Sequence, residues 1–562
     1  MREQLTPRPG TAPPFVVRRS AAQARRPLAA VCIGFTLAQL VLVVPGTGLG
    51  WDETVYTSQV SGFVPAAFFS APRARGITFL AAPVAGLTSS VLALRIWLAL
   101  LSGAGLYLAL RCWQVPGPAG RIAAYRPATP PELRPGARPG SPTASRATGA
   151  ATRRRTGCWA KFRDRGADPP RSAGPALVPA GVLALAGALF ATLWITVFYG
   201  PQVMPNLWSA YGALAAVGCF LRAGRDRGDR AALAGLAAGV AVVALMRPPD
   251  AVWLALPLAG ATAVVRRWRR PALFAALAAG LLLGGAEWVI EAYANFGGLS
   301  ARITRGSEIQ GGMGWHVAVD DQIRSLDGRG LCRPCDVPWR HKVTSVWWFA
   351  LPVLAVGGAL VAARVRDRAT AVLPLLVAGF LAYPYLFTID YAAPRFLLPA
   401  YALLALPVAE CLWWLVSGPA GRPRPVLAAV VAVALCGHLA VQYGVLANIV
   451  GNNHALSTEY GAVAARLHGA GVRPPCLVSG DRAVPIAFYA GCASRQTSGP
   501  DSSITPAGVL AAARVQPVAV IVPPHQRPPS YARAWRPLRL PDGASVQGYR
   551  AYLPPPTAAG WP

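Results

Sequence analysis

The sequence predicts an all-α polytopic membrane bundle carrying a small extracytoplasmic α/β domain at its carboxyl end, and three observations predict it. Of 562 residues, 54% are apolar and only 14% charged, with a mean hydropathy of +0.39. That leaves too little polar surface to enclose a soluble domain of this length. Apolar runs of spanning length alternate with clusters of arginine, where orientation-setting charge belongs. Beyond about residue 449 the apolar runs shrink to five or six residues bounded by Gly and Pro, strand-sized and too short to cross a bilayer.

Residues 1–27 form a Pro/Arg-rich tail, placed in the cytoplasm by Arg18, Arg19, Arg25 and Arg26 ahead of the first apolar run, Leu28 to Pro45. A cleaved signal peptide is the alternative, although no clear small-residue cleavage site follows the run. Residues 46–90 then lie outside; their apolar stretch from Gly76 to Ser90 is interrupted by Pro83 and Gly86 and reads as interfacial. Span two, about 91–113, enters a loop at 113–174 in which twelve Arg and Lys residues face only Glu132, Asp164 and Asp168. That composition predicts a disordered cytoplasmic insertion beside the anionic inner leaflet.

Further spans are expected at about 175–198, 206–222, 231–246, 251–265, 271–290, 346–363, 369–387, 395–416 and 425–449. The total is about eleven, so 28–449 reads as one transmembrane domain of a plasma-membrane protein, with an extracytoplasmic loop at 291–344. Residues 452–562 read as the outer α/β domain, from helix-like Tyr460–Gly469 and Pro506–Arg514 and strand-like Pro475–Ser479 and Pro517–Val522. The net charge of +31 does not point to nucleic acid, because the arginines lie in short clusters between spans. Cys332 and Cys335, and Cys476 and Cys492, fall on the oxidising side, where disulfides form. The lone C-x-x-C is also a zinc or redox pattern, but without a second one at finger-like spacing.

Chemistry concentrates at Trp51-Asp52-Glu53, just after the first span. Carboxylates beside a span commonly mark a site; the simpler alternative is that Asp52 caps a short helix. Trp51 and Tyr56 would hold the pair at the membrane surface. Arg73 and Arg75 follow, and a carboxylate beside guanidiniums suits activation of a hydroxyl while a phosphate leaves. In the loop 291–344, His316, Asp320, Asp321 and Lys342 are candidates for an acceptor site, with a solvated polar loop as the alternative.

The order of these features resembles the GT-C membrane glycosyltransferases of the protein-mannosyltransferase and aminoarabinose-transferase type. The segments that carry it are Trp51-Asp52-Glu53, Pro72-Arg73-Ala74-Arg75-Gly76, Tyr199-Gly200-Pro201-Gln202-Val203-Met204-Pro205-Asn206, and Asp390-Tyr391-Ala392-Ala393-Pro394-Arg395-Phe396. The resemblance implies a helical membrane bundle that takes a sugar from a polyprenyl-phosphate donor. It implies transfer on the outer face to an envelope glycan, lipid or protein, usually with inversion. Carried over, it makes Asp52 the catalytic carboxylate, Glu53 its partner or a metal-side ligand, and Arg395, then Arg73 and Arg75, the donor-phosphate contacts. No spacing dictates a metal, so a divalent cofactor stays open. A flippase of lipid-linked sugars and a noncatalytic envelope-assembly protein are the other readings; a transporter would set its charges at midplane and show internal repeats.

Overall fold

The computed structural model describes residues 21–114, 177–333, 335–336, 338–365, 368–418, 423–499 and 501–555. The expected insertion, apart from its first two residues, and most of the basic tail lie outside the described residues.

The chain begins with α1 (Ala21–Leu42), the short α2 (Trp51–Ser58) and α3 (Gly76–Ala85), and α4 (Val91–Arg111). Next come α5 (Ala180–Ala191), α6 (Trp194–Tyr199), α7 (Asn206–Arg225), α8 (Arg230–Met246), α9 (Pro248–Val264) and α10 (Pro271–Asn295). Then follow α11 (Leu299–Ile309), α12 (Val319–Ser325), α13 (Val346–Val365), α14 (Arg368–Phe387), α15 (Leu398–Ser417) and α16 (Pro425–Gly469). Among the described residues, seven helices are long and apolar enough to cross a membrane: α1, α4, α10, α13, α14, α15 and α16. The expected spans at 175–198, 206–222, 231–246 and 251–265 are helical too, but shorter or more polar.

Local chemistry sets these boundaries. The Ser90 hydroxyl accepts the Ala93 N–H and starts α4, and Asp229 accepts the Ala232 N–H to start α8. Prolines open α9, α10 and α16, where a missing N–H costs nothing. Helices α7 and α15 are buried on nearly every side and so form the centre of the bundle. Helix α8 crosses α7 at a glycine pair: a Cβ on Gly239 would lie 2.8 Å from the Gly212 carbonyl oxygen, so only small residues allow this approach.

Two boundaries differ from expectation. The span expected at 175–198 is broken after Ala191, because Leu193 is extended and the freed Trp194 N–H donates to Gln442 Oε1 of α16 at 2.8 Å. The expected gap between span eleven and the terminal domain does not exist either. Helix α16 runs unbroken for 45 residues, about 68 Å at the usual rise, because the polar Asn452-Asn453-His454 stretch changes its solvent and not its backbone. The loop 291–344 likewise contains α11 and α12, and Cys332 pairs with Ala392 in a short β-bridge.

The upper end of α16 leads into β1 (Leu477–Gly480), α17 (Ala483–Ala490), β2 (Ala493–Ser494), α18 (Pro506–Ala512), β3 (Val518–Val522), β4 (Arg536–Arg539) and β5 (Arg550–Leu553). The sheet order is β2-β1-β3-β5-β4, parallel across β2, β1 and β3, and antiparallel at β5. Its core packs Val478 and Ile521 against Val463 and Leu467 of α16, so one helix serves both parts. Both candidate disulfides are formed, Cys332–Cys335 and Cys476–Cys492.

Candidate functional site

Helix α2 builds the site. Its cap is Gly50, and the Gly50 N–H donates to Glu53 Oε2 at 3.0 Å, so the capping role falls to Glu53 and not to Asp52. Glu53 is buried and held from every side. Arg95 of α4, itself fully buried, donates to both its oxygens, at 2.5 and 2.9 Å. The Val203 N–H adds a further bond at 2.8 Å, and Arg95 also donates to the carbonyls of Gly48 and Pro201. These bonds tie α2, α4 and the Tyr199–Asn206 segment into one rigid unit.

Asp52, one position earlier, faces the other way. Its side chain keeps 35% of its surface exposed, and it lies in the wall of a cavity of about 650 Å³ between the bundle and the sheet. Arg73 Nη2 lies 2.9 Å from Asp52 Oδ1, and Arg395 Nη2 lies 3.2 Å from Asp52 Oδ2. Burial alone would raise the Asp52 pKa, but Arg73 and then Arg395 outweigh it and hold the carboxyl below the usual carboxylate range. Asp52 is therefore an ionised group at neutral pH.

Its arginines are themselves positioned by other elements. Arg73 also donates to Asp501 Oδ1 at 3.1 Å, and Asp501 Oδ2 accepts from Trp51 Nε1 at 3.2 Å. Arg395, in the turn that opens α15, donates to the Gly330 carbonyl and, at 3.4 Å, to the Tyr199 hydroxyl. A third guanidinium, Arg247, faces the same cavity between α8 and α9. It donates to the Tyr385 hydroxyl at 2.7 Å, lies 3.2 Å from Asp250, and sits over the rings of Tyr385 and Phe396. Two arginines on Asp52 and a third, Arg247, in the same wall make an anion-binding cavity.

The structure brings Asp52, Arg73 and Arg395 together as the sequence suggests, but not the other candidates. Arg75 points away, over the Phe69 ring and onto Glu291 at 2.6 Å, with Glu287 at 3.5 Å. Arg302 holds the far oxygen of Glu291 at 2.8 Å between the rings of Trp288 and Phe296, so Arg75 belongs to a latch joining α3, α10 and α11. His316, Asp320, Asp321 and Lys342 do not line the cavity. Asp320 pairs with Arg324 on its own helix and Lys342 is exposed beside Trp339; the loop contributes Gln310, Leu331 and Arg333 instead.

Sequence reading missed Arg247, Asp250 and Asp501. The first two had a signal, a charged pair in Met246-Arg247-Pro248-Pro249-Asp250 between two apolar runs. Asp501 had none, lying some 450 residues from the groups it binds. Among the described residues no group of three or more His, Cys, Asp or Glu could hold a metal. Asp52 does not fit a divalent ion, since both its oxygens face guanidiniums, and Glu53 is consumed by Arg95.

A second hollow of about 410 Å³ adjoins the first, and Arg247, Tyr56 and Pro205 line both. Its remaining wall is largely apolar and aromatic, with Met246, Trp253, Trp315 and Tyr383. The two together form a polar chamber with an apolar annex, joined at Arg247.

No protein-family model matches the sequence, and no curated protein matches it. Solved structures do match. ArnT from Cupriavidus metallidurans bound to undecaprenyl phosphate superposes with a TM-score of 0.59 at 11% identity, covering 96% of this chain and 100% of its own. The apo form of that protein gives 0.58 at 12% identity with the same coverage. An oligosaccharyltransferase from Archaeoglobus fulgidus, in complex with zinc and sulfate, reaches only 0.47 at 13% identity, covering 87% of this chain and 67% of its own. The chain is a multi-pass membrane protein with the fold of ArnT, and at the level of fold the resemblance read from its motifs holds.

Proposed function

We propose that the protein is a membrane glycosyltransferase that moves a hexosyl or pentosyl group from a polyprenyl-phosphate donor to an acceptor hydroxyl. The observation that carries this reading is Asp52, ionised and part-exposed between Arg73 and Arg395 in a cavity whose apolar annex begins at Arg247. A lipid phosphate needs both an anion site and a greasy neighbour, and here they touch. The ArnT structure bound to undecaprenyl phosphate, on the same fold, supports the same donor class.

In this mechanism the donor phosphate sits among Arg395, Arg247 and Arg73, with its first isoprenoid units in the annex. The acceptor oxygen attacks the anomeric carbon as Asp52 takes its proton, and the bond from that carbon to the phosphate oxygen breaks. Polyprenyl phosphate leaves with its added charge met by the arginines. Attack opposite the leaving group inverts the anomeric centre. Asp52 is a weak base while two guanidiniums hold it; an arriving phosphate shares them and raises its basicity when it is needed. Glu53 positions α2 and has no chemical role, and Arg75 belongs to the latch.

The sheet-bearing end of the bundle is the outer face, with the amino end in the cytoplasm. A flippase is disfavoured because Asp52, Arg73, Arg247 and Arg395 lie between helices or at their first turns, not midway along spans. The test is transfer of labelled sugar in membranes bearing wild-type, Asp52→Asn or Arg395→Ala protein at equal expression. Loss of about 10²–10⁴-fold in Asp52→Asn is expected of a removed general base; undiminished turnover would refute the assignment.

A further inference from the structure

The α/β domain is wound so that its strands open onto the reaction chamber. From β1 the chain passes through α17 to β2 on one side, then returns through α18 to β3 on the other side of β1. The winding therefore reverses between β1 and β3, and the connections leaving their carboxyl ends part in opposite directions. In open α/β sheets the crevice left at that point is where ligands bind. Here it faces the Asp52 cavity: Asp481 after β1, Gln496 and Ser498 after β2, and Gln526 and Arg527 after β3 all line the same space as Asp52.

The crevice has a fixed floor. Gly480 closes β1 at φ +92°, where a Cβ would lie 2.2 Å from the Ile521 carbonyl oxygen, so only glycine lets β1 turn this closely over β3. Asp501, from the same loop as Gln496, clamps this rim to Trp51 and Arg73. Distance and orientation between crevice and carboxylate are thus set by the same ion pairs that hold Asp52.

The groups offered there are amides and hydroxyls. Among the described residues the side chains of Gln496, Ser498 and Gln526 spend no hydrogen bond on the protein. The charges at the crevice nearly balance, with Asp481, which accepts from the Tyr549 hydroxyl at 2.6 Å, against Arg527, whereas the arginine cluster stands on the opposite, bundle wall. Neutral groups that both donate and accept match sugar hydroxyls better than a phosphate. A further hollow of about 770 Å³ shares Val522, Gln526 and Arg527 with the crevice and continues past Tyr552 along the sheet. An acceptor longer than one residue has there a polar path with an aromatic platform, on the side of the chamber away from the apolar annex.

We infer that the acceptor is a hydroxyl-rich oligosaccharide, bound at the β1–β3 crevice so that one hydroxyl reaches Asp52. This rests on the transferase reading for the direction of transfer, but the binding itself is testable without it. The full chain in lipid nanodiscs would be probed by saturation-transfer NMR with a short neutral mannose or arabinose oligosaccharide, its uronic-acid counterpart, and a Ser/Thr-rich peptide. The neutral oligosaccharide is expected to bind, and binding is expected to weaken about tenfold in Gln526→Ala with Ser498→Ala. Both are exposed positions whose replacement should leave the unfolding temperature unchanged. In transfer assays the same variants should raise the acceptor KM and keep kcat at saturating acceptor. Preference for the acidic sugar or the peptide, or oligosaccharide binding indifferent to these substitutions and to Gln496→Ala, would overturn the inference. Absence of donor turnover with oligosaccharide binding intact would instead count against the transferase reading alone.

Discussion

Asp52 and Glu53 are adjacent in sequence and opposite in fate, because successive residues of a helix point about 100° apart. Glu53 is drawn into the protein by Arg95, while Asp52 is left at the chamber wall. Arg95→Met should strand Glu53 as a buried unpaired charge, at a cost of about 3–5 kcal/mol; yield and thermal unfolding in detergent would show it, and adding Glu53→Gln should restore part of the loss. The pH dependence follows from the low pKa of Asp52. The base works when ionised, so activity is present above its pKa and lost as pH falls through it. In kcat/KM, which reports the free enzyme, the acid limb should lie below the ordinary Asp value of about 3.9. In kcat, with the donor phosphate sharing Arg73 and Arg395, the limb should move to higher pH. Coincident limbs would contradict the sharing of guanidiniums.

At the scale of elements, α16 is the member that joins membrane and sheet. Its last turns are buried in the core of the α/β domain, so that domain is a continuation of the bundle and not a tethered module. The Cys476–Cys492 disulfide closes a separation of 16 residues around β1 and α17. Such a loop is worth about 3 kcal/mol. Replacing both cysteines with serine, or adding reductant, should lower the unfolding temperature of the sheet and slacken Asp501; scanning calorimetry with and without reductant measures this. The α5–α6 break is a similar junction, since its freed N–H is met by α16.

At the scale of the whole molecule, the chamber exists only where the bundle meets the sheet, so the two surfaces must face the same compartment. Cysteines introduced as Ala160→Cys and Ala544→Cys should label from opposite sides of the membrane, residue 160 from the cytoplasm. Labelling of both from one side would reverse the proposed orientation. By itself the sequence determined the membrane class, most helix positions and the α/β character of the carboxyl end, and through the resemblance of its motifs it suggested Asp52 with Arg395, Arg73 and Arg75. Hydropathy and charge clustering are local quantities, and short motifs carry their residues with them. Only the tertiary structure decided that Arg75 and Glu53 are turned to structural pairs, that Arg247 joins the chamber, and that Asp501 closes it. Which oxygen meets which guanidinium depends on helix rotation and on contacts between distant segments. Those are set by packing the whole chain at once, and leave no mark at the spacing of a motif.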